Sequence, residues 1–127
     1  MRYAVVLILN FLLPAPAMGA SVTFNWSPPS TSCDGSALSD LFGYAILWGT
    51  NSGGPYLNQH NVDDPGATSV TINVGSVENQ TLYFVAVSVD SSGNRSDDVG
   101  GCGTSNEVAQ YFGPVPPSPP RGLVAAQ

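Results

Sequence analysis

The residues with the clearest potential for chemistry surround His60, the single histidine of the 127-residue sequence. Its imidazole could act as a general base if Ser52 stood within reach as a nucleophile. Asp63 or Asp64 would then have to orient the ring. The segment YLNQHNVDDPG is polar, however, and contains neither a nucleophile elbow nor a phosphate-binding loop. A solvated loop histidine is the simpler interpretation, so we expect a protein that is not an enzyme.

The cysteines and the histidine of the chain are too few to form a metal site. The sequence has two cysteines, Cys33 and Cys102, and His60 is distant from both. A structural zinc ion takes a full tetrahedral set of nitrogen and sulfur ligands, which these side chains do not provide. We therefore expect no metal centre and no cofactor.

The N-terminal residues have the composition of a secretory signal. Arg2 precedes an apolar run that ends at Leu13, and the small residues of PAPAMGA follow. The run is too short for a membrane-spanning helix, which needs about 20 apolar residues. We predict that residues 1–20 form a leader, and that its removal yields a secreted or surface-displayed protein without membrane insertion. The small residues at the junction allow cleavage after Ala17, Gly19 or Ala20.

Charge excludes two classes of partner. The chain has 3 basic and 9 acidic residues, a net charge of −6, and no lysine. A surface of this sign repels the phosphates of nucleic acids and anionic lipids. Without the leader, the remaining length is sufficient for one domain with a single core.

The region after the leader alternates apolar and polar residues with the period of β-strands and shows no helical period. The clearest segments are SVTFNW, GYAILWG, SVTINV and SNEVAQYF, and turn-forming residues separate them. LYFVAVSV is apolar on both faces, which predicts a central strand. The pattern favours an all-β sandwich.

These segments resemble a fibronectin type III domain of the kind found in bacterial secreted proteins. The resemblance is carried by VTFNW with SPP, DGSALSDLFGYAILWGT, DSSGN and SNEV, and by the spacing of Val77, Asn79, Thr81 and Tyr83. It covers residues 21–112 and implies an immunoglobulin-like β-sandwich that binds or spaces rather than catalyses. The core residues expected from the alternation and the resemblance are Trp26, Tyr44, Ile46, Ile72, Tyr83, Val85 and Val87.

The resemblance also implies roles for particular residues. Trp26 would lie between the sheets, and Tyr83 would be the corner tyrosine whose hydroxyl bonds to the backbone. Cys33 would lie between strands B and C, and Cys102 in an insertion between strands F and G. Because these two connections emerge at one end of the fold, and because an exported chain meets oxidising conditions, we predict a Cys33–Cys102 disulfide.

Acidic residues are expected near the same end of the fold. Asp34 and Asp40 lie on the first connection, and Asp97 and Asp98 lie on the second. Oxygen-rich loops of this kind suit calcium, but the spacing matches no known string of calcium ligands. A solvated acidic edge is the favoured interpretation.

The residues 113–127, which we call the tail, resemble the opening of a further domain. A fibronectin type III domain begins with strand A, yet SVTFNW starts almost at the predicted cleavage site. We therefore expect strand A to be missing or vestigial and the edge of strand B to be open, which invites another strand. The tail residues expected to take part in assembly are Pro120, Arg121, Leu123, Val124 and Ala125. Residues 113–120 would form a stiff spacer, and residues 123–126 would be the strand that fills that edge in another copy.

Strand donation of this kind would join copies head to tail into extracellular filaments. The function predicted from the sequence is thus a non-catalytic structural or adhesion module whose partners are its own copies or neighbouring extracellular proteins. A flexible linker, a remnant of a longer array and a PxxP ligand remain alternatives for the tail. A further alternative is a carbohydrate-binding module that holds polysaccharide on exposed aromatic residues such as Phe42 or Tyr56.

Overall fold

The computed structural model describes residues 2–6, 19–114 and 116–126, which form two antiparallel sheets packed face to face. The first sheet has the order β1-β2-β5 and the second the order β4-β3-β6-β7. The predicted all-β sandwich is confirmed, whereas leader residues 7–18, including the candidate cleavage site at Ala17, lie outside the described residues. The strands are β1 (Arg2–Val6), β2 (Ala20–Asn25), β3 (Leu41–Gly49), β4 (Asn58–Val62), β5 (Ser69–Gly75), β6 (Gln80–Asp90) and β7 (Val108–Phe112).

The main core lies between the two sheets. Phe24 on β2 and Phe84 on β6 are each 1% exposed, and their ring centroids are 4.7 Å apart. Trp26 is only partly buried at the margin of this core, where its ring meets that of Tyr44 edge-on. The other buried members are Val22, Ile46, Ile72, Leu82, Val108 and Phe112.

The buried residues of β6 lie on both faces of the second sheet. Phe84 pairs with Trp48 and Ala86 with Ile46, so the even-numbered residues of β6 face the main core. Val85 and Val87 are buried at 2% exposure, but on the opposite face of the sheet. Tyr83 shares their parity and is half-buried. Val85 and Val87 are thus buried as predicted, but the apolar run LYFVAVSV contains no alternation from which their face of the sheet could be assigned.

A hydroxyl-to-backbone bond of the kind expected of Tyr83 is made by a different tyrosine. Tyr44 donates its hydroxyl hydrogen to the carbonyl of Pro65 at 3.2 Å. Burial of the Tyr44 ring raises the pKa of this phenol. The bond ties β3 to the connection between β4 and β5.

The edge of β2 that was expected to be open is paired in the full chain. β1 runs antiparallel to β2 from Arg2 opposite Asn25 to Val6 opposite Ser21. The expectation that strand A is missing is therefore wrong for a chain that retains its N-terminal residues. The apolar residues of β1, RYAVV, fit a leader, and the β-branched valines among them also favour a strand.

Ring contacts establish the relative directions of the strands in the two sheets. Trp26, just after β2, meets Tyr44 near the beginning of β3. Phe24 meets Phe84, whose register partner Trp48 lies near the end of β3. β2 therefore runs opposite to β3 and in the same direction as β6. Because β7 is antiparallel to β6, β7 ends where β2 begins.

Candidate functional site

The predicted disulfide is present at one end of the sandwich. Cys33 on the β2–β3 connection and Cys102 on the β6–β7 connection are bonded, with their Cα atoms 5.4 Å apart. The amide of Cys102 also donates a hydrogen bond to Cys33 Sγ at 3.1 Å. We call this end, formed by residues 27–40 and 91–104, the disulfide pole.

Hydrogen bonds order the β6–β7 connection in addition to the disulfide. The carboxylate of Asp90 accepts bonds from the amides of Ser92 and Asn94, both at 2.9 Å. Contacts with Asn94 are the main cause that lowers the pKa of Asp90. Farther along, the amide of Ser105 donates to the carbonyl of Ala86 at 2.8 Å. The connection therefore has a defined shape along most of its length.

The acidic residues expected at this pole are placed on its two connections, and several of them hold local structure. Arg95 forms a two-pronged ion pair with Asp97, with both N–O distances at 2.9 Å, and this pairing lowers the pKa of Asp97. The backbone amide of Arg95 donates to Asp98 at 2.7 Å. Asp34 accepts two bonds from Ser36, which lower its pKa. Within the described residues, no group of three or more histidine, cysteine or acidic side chains could hold a metal ion.

The outer face of the second sheet carries a small second core. We call it the outer cluster, and its buried members are Ala45, Leu47, Val85 and Val87. The ring of Tyr56 packs against it from the β3–β4 connection. Tyr56 is thus a packed, half-buried side chain rather than the open platform considered for a carbohydrate, whereas Phe42 is 46% exposed.

Glu107 fastens the β3–β4 connection over the outer cluster. Its carboxylate accepts bonds from the Ser52 hydroxyl at 2.6 Å, from the Gly53 amide at 2.7 Å and from the Tyr56 hydroxyl. We call this group the Glu107 clamp. The bond from Ser52, followed by those from Tyr56 and Gly53, lowers the pKa of Glu107. The bond to Glu107 raises the pKa of Tyr56 to about 12.

The clamp predicts pH-dependent stability with a definite sign. Glu107 has a lowered pKa in the folded state, so its contribution is present above the ordinary glutamate pKa of about 4.3. It is lost as the pH falls through the lowered value. Tyr56 has a raised pKa, so its contribution is present below the ordinary tyrosine value of about 10 and is lost as the pH rises towards about 12.

The clamp is tested by titrating the Glu107 carboxyl carbon by NMR in matched variants. We expect Ser52→Ala to raise the pKa of Glu107 more than Tyr56→Phe does, because Ser52 is the largest cause of the shift. Glu107→Gln should abolish the acid-induced change in the Tyr56 resonances. An unchanged Glu107 titration in both single variants would show that the clamp does not form in solution.

His60 lies on a strand instead of the predicted loop. It is the central residue of β4, exposed, and paired in register with Ile46. Ser52 belongs to the Glu107 clamp, and no contact joins it to His60 among the described residues. The structure therefore does not bring together the nucleophile and base considered from the sequence.

We call the edge of β2 that pairs with β1 the acceptor edge. Alternate side chains of β2 face the main core. Val22 and Phe24 point inwards, and Thr23 bonds through its hydroxyl to Thr71 of β5 at 2.7 Å on the other side. The register partners of Val22 and Phe24 on β1 are Val5 and Tyr3. The acceptor edge is thus demonstrably able to pair with an antiparallel strand of five residues.

The tail contains apolar side chains without a place in the sandwich. Within its described residues, 113–114 and 116–126, the tail forms no strand. Leu123 and Val124 are 92% and 81% exposed, respectively. The other residues expected to take part in assembly, Pro120, Arg121 and Ala125, are exposed as well.

Comparison with known proteins adds no identification. Neither a family model nor a curated protein sequence matches the chain. Among the residues that the structure describes, none belongs to a helix of the length and apolarity needed to cross a membrane.

Proposed function

We propose that this protein is a secreted, non-catalytic structural or adhesion module that joins copies of itself by strand donation. The tail of one copy pairs with the acceptor edge of the next after the leader, and with it Arg2–Val6, has been removed. The observation that carries the proposal is the pairing of β1 with β2. It places an antiparallel strand on that edge from a segment that export would remove.

The direction of the strands favours donation between copies over insertion within one copy. The tail follows Phe112, which lies at the end of the sandwich where β2 begins. To pair antiparallel with its own β2, the tail would first have to cross the full length of the sandwich and reverse. Pairing with the next copy requires no reversal and places the copies head to tail. Such a contact is heterologous and can continue into a filament.

Donation would stabilise both the acceptor and the donor. An unpaired β2 would leave a row of backbone donors and acceptors at the sheet edge, beside the core residues Val22 and Phe24. The tail would in turn expose Leu123 and Val124. Adding the tail as a strand satisfies the backbone groups and removes apolar surface from water at the same time.

Two further observations are compatible with an extracellular module of this kind. The Cys33–Cys102 disulfide is compatible with an oxidising compartment. The order of the strands in the two sheets is compatible with the fibronectin type III architecture that the sequence resembles. Domains of this architecture serve in many unrelated proteins, so the proposed role depends on the acceptor edge and not on the fold.

The proposal predicts that oligomers form only when the tail is present and the leader has been removed. We expect the mature chain, beginning at Ser21, to form concentration-dependent oligomers in light scattering after gel filtration. Deletion of residues 113–127 should leave monomers. The chain that keeps Arg2–Val6 should also remain monomeric, because β1 covers the acceptor edge.

A point variant tests whether the tail must pair as a strand or need only be present. Val124→Pro should abolish the oligomers, because proline cannot donate to a ladder, whereas Val124→Thr should retain them. A mature chain that is monomeric at every concentration would overturn the proposal. Oligomers that persist without the tail would overturn it equally.

A further inference from the structure

We infer that the disulfide pole is a docking surface for the tail of a second copy, and that it receives the proline-rich stretch 113–120 and Arg121. The inference rests on the proposed strand donation, because that donation determines where the incoming chain enters. It adds a second contact region that the strand pairing alone does not require.

The entry point follows from the direction of β2. A strand that pairs antiparallel with β2 must begin beside the end of β2, as β1 does with Arg2 opposite Asn25. The chain continues from Asn25 into residues 27–40 of the disulfide pole. The residues that precede a donated strand must therefore pass over this pole.

A cleft at the pole offers apolar side chains to an incoming segment. Its volume is about 320 Å³, and it separates the β2–β3 connection from the β6–β7 connection beside the disulfide. Leu38, Leu41 and Val89 contribute apolar lining, and Val99 is fully exposed at its rim. Proline-rich segments favour the extended polyproline conformation, so they lose little conformational entropy when they bind.

The charge of the pole is opposite to that of Arg121 in the tail. The pole carries Asp34, Asp40 and Asp98 in addition to Asp90 at the end of β6, while the guanidinium of Arg95 is already paired with Asp97. Arg121 is the one basic residue of the tail. In the donated position it would precede the strand and face this acidic surface.

The length of the tail is sufficient for both contacts. Residues 113–120 span roughly 25 Å in polyproline form, at about 3.1 Å per residue. This stretch connects Phe112 of the donor to the entry point beside Asn25 of the acceptor. Residues 122–126 then remain for pairing along β2.

The test is an NMR titration of the ¹⁵N-labelled mature chain carrying Val124→Pro, whose own tail cannot donate a strand. The probes are two synthetic peptides, one covering residues 113–127 and one covering residues 122–127, which lacks every residue that the inference places on the pole. We expect the long peptide to shift amide signals of β2 together with those of Leu38, Val99 and Gly100. The short peptide should shift β2 signals only and bind more weakly.

The outcomes separate this inference from the proposed function. If the long peptide shifts β2 signals but leaves the cleft signals unchanged, docking at the pole is wrong and strand donation stands. If neither peptide shifts β2 signals, strand donation fails and the inference fails with it. Near-UV circular dichroism of the labelled chain confirms that it is folded in either case.

Side-chain variants give a second readout with a matched control. Val99→Ser should weaken binding of the long peptide by about three- to tenfold, through the loss of roughly two buried methyl groups. Leu57→Ser alters an equally apolar, exposed residue at the opposite end of the sandwich and should have no effect. Arg121→Gln in the long peptide should cost about two- to fivefold and reduce the salt dependence of binding. Equal effects of the Val99 and Leu57 variants would overturn docking at the pole.

Discussion

Replacement of Phe84 by alanine is expected to lower the free energy of unfolding by about 3–5 kcal/mol. The ring is 1% exposed and lies between two other rings, with centroids 4.7 Å from Phe24 and 5.9 Å from Trp48. Truncation therefore leaves a cavity at the point where the two sheets meet. A domain of this size has only about 5–15 kcal/mol in total, so a large part of its stability would be lost. Urea denaturation with the disulfide intact measures the change.

Trp26→Ala provides the comparison for this prediction. Trp26 was expected from the sequence to be a central core residue, but its ring is partly buried at the margin of the main core. We therefore expect a smaller loss than for Phe84→Ala, and almost none for Leu57→Ala, whose side chain is exposed. A larger loss for the tryptophan variant would mean that the margin of the core, and not its centre, holds the sheets together.

Strand β3 illustrates what the sequence was able to predict. Tyr44, Ile46 and Trp48 alternate with Ala45 and Leu47, and their side chains do face the main core, as expected. The alternation was informative because the two aromatic residues, Tyr44 and Trp48, share one face with Ile46, whereas the other face carries the small Ala45. In β6 the residues on both faces are apolar, so the same method had no basis for choosing a face.

The two strands that sequence reasoning missed have opposite compositions. β4 reads NQHNV and is almost entirely exposed, so it lacks the apolar side that marks a half-buried strand. Its pairing is determined by the neighbouring β3, from Tyr44 opposite Val62 to Trp48 opposite Asn58. β1 is apolar, but it lies within a segment that has the features of a leader.

The Glu107 clamp could not have been inferred from a local pattern. Glu107 lies 51 residues from Tyr56 and 55 from Ser52 along the chain. The glycine-rich segment NSGGP after β3 favours a reversal of the chain, but it does not indicate a path across the outer cluster. That path appears only when β7 places Glu107 beside the outer face of the sheet.

Coverage of the outer cluster has a consequence for assembly. The centre of the second sheet, at β3 and β6, is buried on both faces, by the main core on one side and by the outer cluster with Tyr56 on the other. The acceptor edge of β2, in contrast, is covered by β1, which the proposed export would remove. Under the proposed export, the edge of β2 beside Val22 and Phe24 therefore becomes available for association.

Replacement of Cys102 by serine is expected to lower the free energy of unfolding by about 4 kcal/mol, the value that chain entropy gives for a bridge between residues 69 apart in sequence. The effect arises mainly in the unfolded state, which gains freedom when the bridge is absent. In the folded state, Ser96 still donates to the Ser88 carbonyl and Ser105 to the Ala86 carbonyl, at 3.0 and 2.8 Å. We therefore expect a lower urea midpoint together with unchanged amide shifts in β3 and β6.

The double variant Cys33→Ser and Cys102→Ser is the matched control, because it lacks the same bridge without leaving a free thiol. Its stability should agree with that of the single variant within about 0.5 kcal/mol. A loss below about 1 kcal/mol in both would mean that the unfolded chain is already compact between these positions. Since Cys33 and Cys102 both line the cleft at the pole, the double variant should also bind the 113–127 peptide more weakly. Pairing at β2 should persist, because none of the bonds that form β2 includes either cysteine.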